Sequence, residues 1–288
     1  MKIAPLTGTF GAEATDVDLG AELAGSAAAG PDRAGTAEAV ASALAEHAVV
    51  VFRDQHLDID AFEAVAQALG AFGDTPFITP VEGHPDVLRV VREAHESGPL
   101  FGSAWHSDWS FQAAPPAATL LYAVEVPPAG GDTAFSNQRL AYEALSPAMA
   151  AMLAPLRAVH SARHSYGPKG TFGRPDPDSA MDIHGDDRAV EERAHPLVRT
   201  HPVTGARLLF VNDVYTVGIE GMTAAESKPL LEFLSAHARH VRFSARVRWR
   251  PGTLTMWDNR VVQHFAVDDY AGHRREMYRI TLAGEPPV

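Results

Sequence analysis

Hydrophobic and polar positions along the chain follow two regimes. In the first hundred residues helical spacing alternates with short strands. Thr36 to His47 carries alanines together with Val40 and Leu44 at helical intervals. Asp60-Ala61-Phe62-Glu63 has the form of a capping box and predicts a second helix running through Leu69. Between them, Val49-Val50-Val51-Phe52 is an unbroken apolar run, suited to a strand buried on both faces. From residue 117 onward strands dominate, and Leu120 to Val126, Leu156 to His164, His195 to His201 and Arg207 to Val211 are predicted as such. The last two flank Pro202-Val203-Thr204-Gly205, a turn sequence that predicts a hairpin. Thr223 to Ala238 is a helix opened by a second capping box, Thr223-Ala224-Ala225-Glu226. Val241 to Arg250 alternates strictly, with Arg242, Arg246, Arg248 and Arg250 on one face and apolar residues on the other. In an acidic chain this reads as a strand with a solvated face rather than a nucleic-acid surface.

Short strands punctuated by turns predict a mainly β fold with flanking helices, a sandwich or jelly roll. A chain of 288 residues without an internal repeat suits one domain, expected to span 1–288. Gly167 to Arg188, GPKGTFGRPDPDSAMDIHGDDR, has no apolar period and reads as a long irregular loop, either a surface excursion or a lid over a site. Composition narrows the function. There is no cysteine, which removes disulfides, thiolate metal sites and cysteine nucleophiles, and suits a reducing cytoplasm. A net charge of −12 argues against a nucleic-acid partner. Met1 to Leu6 lacks the apolar core of a signal peptide, and no run approaches the ~18 to 20 apolar residues of a membrane span. The expected partner is a small molecule; self-association is left open.

Candidate chemistry lies in His106-Ser107-Asp108 and the distant His264. Residues two apart on an extended strand share a face, so His106 and Asp108 can converge on one ion. Two imidazoles and a carboxylate form the facial triad of non-haem Fe(II) oxygenases, which leaves coordination positions open. In a chain with 14 histidines H-x-D alone is weak. Its surroundings are specific: Trp105 to Phe135 reads WHSDWSFQAAPPAATLLYAVEVPPAGGDTAF, and Trp257 to Arg279 reads WDNRVVQHFAVDDYAGHRREMYR. Both segments, with Gly11-Ala12-Glu13 and Val49 to Gln55, resemble the taurine dioxygenase family of Fe(II)/2-oxoglutarate-dependent oxygenases, and the likeness covers essentially the whole chain.

That resemblance implies a double-stranded β-helix (cupin-like jelly roll) and an enzyme using Fe(II), 2-oxoglutarate and O2. It implies His106, Asp108 and His264 as iron ligands, Arg275 and Thr133 as the grip on the 2-oxoglutarate distal carboxylate, and Arg279 as the partner of an anionic substrate group. Retention of Asp108, where related halogenases carry a small residue, implies hydroxylation. Other family contacts to taurine are missing: Thr79 and Glu82 stand where the family enzyme has a histidine and a tyrosine, Gly102 where it has an asparagine, and Trp109 replaces a smaller apolar residue. Phe111, Ser165, Tyr166 and Tyr215 fall at positions equivalent to pocket walls. Taurine is therefore disfavoured, and a bulkier sulfonate, sulfate ester or aryloxy or carboxylic acid is expected, released after hydroxylation beside the heteroatom. Alternatives are a biosynthetic oxygenase acting on an amino-acid-derived metabolite and a non-catalytic cupin-like binder of metal or carboxylate. Asp258 and Asn259 read as turn formers before the His264 strand. His195 and His201 are dismissed as a second metal pair, because their numbers differ by six, a proline follows each and no carboxylate pattern lies nearby.

Overall fold

The computed structural model describes residues 1–25 and 33–288. A seven-stranded sheet runs in the order Lys2–Pro5, Ala12–Thr15, Val49–Phe52, Leu254–Asp258, Ala118–Glu125, Arg275–Leu282, Leu88–Arg92. All its pairings are antiparallel except that of Ala12–Thr15 with Val49–Phe52. A smaller sheet faces it, with Thr133–Asn137 between Ser244–Val247 and Val262–Ala266. This is the jelly roll that the strand pattern predicts.

The apolar run at Val49–Phe52 is explained by two cores. Val50 and Phe52 point to a layer where Val40 and Leu44 of the helix Arg33–His47 and Phe62 and Val65 of the helix Ile59–Leu69 pack. Val49 and Val51 point inward, to Phe135, Trp257, Val262 and Met277 between the two sheets. Each such large side chain removed from water contributes roughly 1.5 to 3 kcal/mol, so a strand buried on both faces is a fixed reference for its neighbours.

Several elements depart from expectation. The helix Ile59–Leu69 is capped two residues earlier, by Asp58 accepting from the Ala61 amide at 2.8 Å. Glu63, now past the first turn, cannot complete a capping box and instead meets His84 at 2.7 Å. At Val241–Phe243 the chain makes a helical turn, and only Ser244–Val247 is strand, paired with Thr133 to Ser136 of the neighbouring strand. The inward–outward alternation still continues through Arg250, and Arg246 is held outside by Asp132 and Asp269. The expected strand to His164 stops at His160, and Arg163–Tyr166 forms a helical turn. The stretch from His195 is divided into Arg193–Pro196 and Val198–Thr200; the latter pairs with Arg207–Leu209 in the expected hairpin.

Residues 167–188 are irregular, and they are anchored. Ile183 bridges to Ile78, the Thr79 amide donates to Asp182 O at 3.0 Å, and the His184 amide donates to Phe77 O at 2.9 Å. Met181 and Ile183 are buried against Phe77 and Tyr166. Among the described residues no helix is long and apolar enough to cross a membrane.

Candidate metal centre and its cavity

His106 lies at the open edge of the smaller sheet. Its amide donates to His264 O at 3.1 Å, and the His264 amide returns a bond to His106 O at 2.8 Å. This two-bond bridge brings together residues far apart in sequence and sets their rings 4.1 Å apart. His106 Nε2 and His264 Nε2 lie 3.5 and 3.6 Å from the same oxygen, Asp108 Oδ1. Among the described residues this is the one cluster of three whose ligand atoms lie within 4.8 Å of one another, and all three residues are buried.

The donor set fits a divalent metal. His106 Nδ1 donates to Ala104 O at 2.7 Å, which leaves Nε2 as the lone-pair nitrogen. Burial, then the adjacent His106, push the His264 imidazole down to about 3, so it is neutral, the form that ligates. Burial pushes the Asp108 carboxyl up, but Arg279 and the two histidines outweigh it and hold it well below its usual range. Three lone-pair atoms at these separations can each approach a common ion to about 2.1 Å.

Orientation of Asp108 comes from a relay that the sequence does not reveal. Thr119, on the strand Ala118–Glu125, donates to Asp108 Oδ2 at 2.6 Å and accepts from Asn259 Nδ2 at 2.7 Å. Trp257 Nε1 donates to Asn259 Oδ1 at 2.9 Å, and Ser107 Oγ donates to Asn259 O at 2.5 Å. With Oδ2 thus engaged, Oδ1 is the oxygen turned to the histidines. Asn259 is therefore more than a turn former. Asp258 does fix the turn, through Arg260 at 2.7 Å and His201 at 3.0 Å. His201 consequently has a carboxylate partner, contrary to the sequence reading, while His195 lies elsewhere, beside His160.

Arg275 and Arg279 lie four residues apart on the strand Arg275–Leu282, and both are buried. Arg275 sits 5.8 Å from the Trp249 ring, its Nε without a hydrogen-bond partner. Trp249 Nε1 donates to Thr133 Oγ at 3.0 Å, leaving that hydroxyl its own proton to donate. Gly131, at φ +68°, permits this closeness; a Cβ there would lie 3.3 Å from Tyr270 and 3.4 Å from the Arg275 stem. Arg279 Nη2 stands 2.8 Å from Asp108 Oδ1 but misaligned, so neither of its Nη groups has a hydrogen bond.

Beside the triad lies a cavity of about 270 Å³, lined by His106, Asp108 and Arg279 and by Gly102, Trp109, Ser165, Tyr166 and Tyr215. The structure thus gathers Gly102, Trp109, Ser165, Tyr166, Tyr215 and Arg279 around one cavity, as the sequence suggests, but not Phe111. Thr79 and Glu82 are exposed and line no part of it; Thr79 bonds Asp182 on the 167–188 segment instead. Phe111 stands behind, edge-on to Trp109 and Tyr215. Thr171 and Phe172 of the 167–188 segment complete the wall.

The comparisons with known proteins agree with this geometry. The family model described as taurine catabolism dioxygenase TauD, TfdA family matches residues 2–281. An alpha-ketoglutarate-dependent sulfate ester dioxygenase of Pseudomonas putida is 35% identical over 292 residues, covering 100% of this chain and 91% of its own. An alpha-ketoglutarate-dependent 2,4-dichlorophenoxyacetate dioxygenase of Cupriavidus pinatubonensis is 34% identical over 99% of this chain and 98% of its own. Among solved structures, a taurine dioxygenase from Burkholderia xenovorans superposes with a TM-score of 0.79 at 32% identity, covering 100% of this chain and 92% of that one.

Proposed function

The chain belongs to the taurine catabolism dioxygenase TauD, TfdA family and is an Fe(II)- and 2-oxoglutarate-dependent dioxygenase, and from that premise we propose that it hydroxylates a small organic anion held by Arg279. The carrying observation is the position of that guanidinium: buried, on the cavity wall, beside the metal carboxylate, with both Nη groups free of hydrogen bonds. A buried cation so placed suits an anionic ligand at the reacting centre.

In this reading His106, Asp108 and His264 hold the iron, with Thr119 and Asn259 fixing the carboxylate. Iron with 2-oxoglutarate and O2 supplies oxidation of a substrate C–H bond, the oxo acid being decarboxylated to succinate. Arg275 and the Thr133 hydroxyl bind the distal carboxylate of 2-oxoglutarate, a planar fork and a donor suited to that group. Trp109, Tyr166 and Tyr215 exclude water from the cavity, and the 167–188 segment acts as its lid. The whole chain acts as one catalytic unit in the cytoplasm.

Relatives acting on a sulfate ester and on an aryloxy acid support an anion larger than taurine. Succinate release is measured with Fe(II), 2-oxoglutarate and ascorbate across taurine, alkyl sulfonates, alkyl sulfates and aryloxyacetates. Stimulation by larger anions above taurine is expected. Preference for taurine over every larger anion, or stimulation only by neutral or amino-acid-derived compounds, overturns the proposal.

A further inference from the structure

Three N–H-bearing nitrogens on cavity-lining side chains make no hydrogen bond in the protein: Arg279 Nη1, Trp109 Nε1, and Arg279 Nη2, which stands within ion-pair distance of Asp108. The guanidinium carbon of Arg279 lies 5.2 Å from the Trp109 ring centre, so the guanidinium and the indole are neighbours on the cavity wall. A buried donor left unpaired costs free energy, and native proteins keep few of them. A second observation points the same way. Trp109 is a non-glycine residue at φ +45°, a left-handed conformation that a bulky side chain adopts at a cost. A wall of the same size could be set from an unstrained position. The strain fixes the indole directly after the metal carboxylate, with the Arg279 guanidinium over its ring.

We infer that the Trp109 indole N–H is a specificity donor that completes, with the two Nη groups of Arg279, a three-donor cradle for a tetrahedral oxyanion head group. This rests on the reading of Arg279 as the substrate anion's partner, and narrows it. A carboxylate has two oxygens, which the guanidinium fork satisfies alone. A sulfate ester or sulfonate carries three terminal oxygens, and the third is the one that reaches Trp109. The cradle therefore ranks sulfur oxyanions above carboxylates of equal chain length, and no bond is made or broken in this recognition.

The test uses binding, without turnover. Hexyl sulfate, hexanesulfonate and heptanoate are titrated calorimetrically into the full-length protein and its Trp109→Phe, Trp109→His and Arg279→Ala variants. Wild type is expected to bind both sulfur anions about tenfold or more tightly than heptanoate. Trp109→Phe, which keeps an aromatic wall and loses the N–H, is expected to erase most of that ratio by weakening the sulfur anions about tenfold, as for a hydrogen bond to a charged group. Trp109→His, which retains a ring donor, restores part of it. Arg279→Ala weakens all three ligands.

Equal wild-type affinity for the three heads overturns the cradle whether or not any variant folds. So does a Trp109→Phe variant whose selectivity ratio is unchanged. Failure of the underlying reading looks different: none of the anions binds, or Arg279→Ala leaves all three affinities intact. Either result removes the cradle together with the anion site.

Discussion

The first half of the strand Arg275–Leu282 places the same side chain, four residues apart, in opposite electrostatic conditions. Both arginines are nearly sealed from solvent, 5% and 4% exposed. Arg279 has a counter-charge in the protein, Asp108 at 2.8 Å. Among the described residues no carboxylate lies within ion-pair distance of Arg275, whose guanidinium stands 5.8 Å from the Trp249 ring. Burial pushes the Arg275 guanidinium below its usual value, and Tyr270 and Asp132 offset this only in part. The contrast separates two kinds of site. A buried cation without a partner is costly and persists where a ligand supplies the missing charge. A buried cation already paired with a metal carboxylate is preset, and a ligand must share it. On this argument the Arg275 site recognises a charge that every catalytic cycle brings, and the Arg279 site discriminates among substrates.

The largest effects should come from removing the carboxylate and imidazoles that the Arg279 site depends on. His106→Ala, Asp108→Ala and His264→Ala are each expected to abolish 2-oxoglutarate decarboxylation and iron retention, read by succinate assay and metal analysis. Near-normal activity in one of them would take that residue out of the triad. Next, Arg275→Leu is expected to raise the 2-oxoglutarate requirement by the equivalent of about 2 to 5 kcal/mol, because the ligand carboxylate loses its buried partner. Arg279→Ala should instead raise the requirement for the primary substrate while leaving that for 2-oxoglutarate nearly unchanged. Saturation curves for both compounds decide it, and a matching shift in both variants would erase the distinction between the two sites.

Thr119→Val tests whether Asp108 needs its relay. Loss of the hydroxyl should weaken metal binding or turnover by about 10- to 100-fold, the range seen when a group orienting a metal ligand is removed. Iron titration with unaltered affinity would reduce Thr119 to a packing residue. The smallest effect is expected for Thr133→Ala, about 0.5 to 1.5 kcal/mol in 2-oxoglutarate affinity, since Arg275 remains. A loss as large as that of Arg275→Leu would mean that the hydroxyl and the guanidinium act as one unit.

How much of this was legible in the sequence differs between the same two regions. Strand alternation predicts His106 and Asp108 on one face; the structure instead holds His106 in an isolated bridge and Asp108 in the turn that follows, and family-like segments bring His264, Thr133, Arg275 and Arg279 into the argument. Periodicity reports the face a residue occupies but is silent about its neighbour across the sheet. Thr119, one residue before the strand expected from Leu120, therefore draws no reading from the sequence, and Asn259 reads as a turn former, although together they aim Asp108. Trp109 was legible as bulk. Its positive φ and its unpaired N–H depend on how the chain turns after Asp108, which no residue type encodes. Thr79 and Glu82 were misplaced because the loop bearing them pairs with the 167–188 segment, a long-range contact between two stretches without apolar period.

The turn at Asp258 carries a consequence for the enzyme's tolerance of acid. Asp258 is fully buried; burial pushes its carboxyl up, yet Arg260 and His201 prevail and hold it below the ordinary 3.8. A carboxyl whose folded value is depressed adds stability that is present above its unfolded value. That stability is lost as pH falls through the folded one. The next residue is Asn259, which steadies Thr119 and, through it, the metal carboxylate. Acid should then loosen the scaffold of the iron site from behind, before global unfolding, at a proton acceptor that never meets iron. Melting temperatures measured from neutral pH down to about pH 3 should fall less steeply for Asp258→Asn than for wild type, and parallel curves would locate the acid weakness elsewhere.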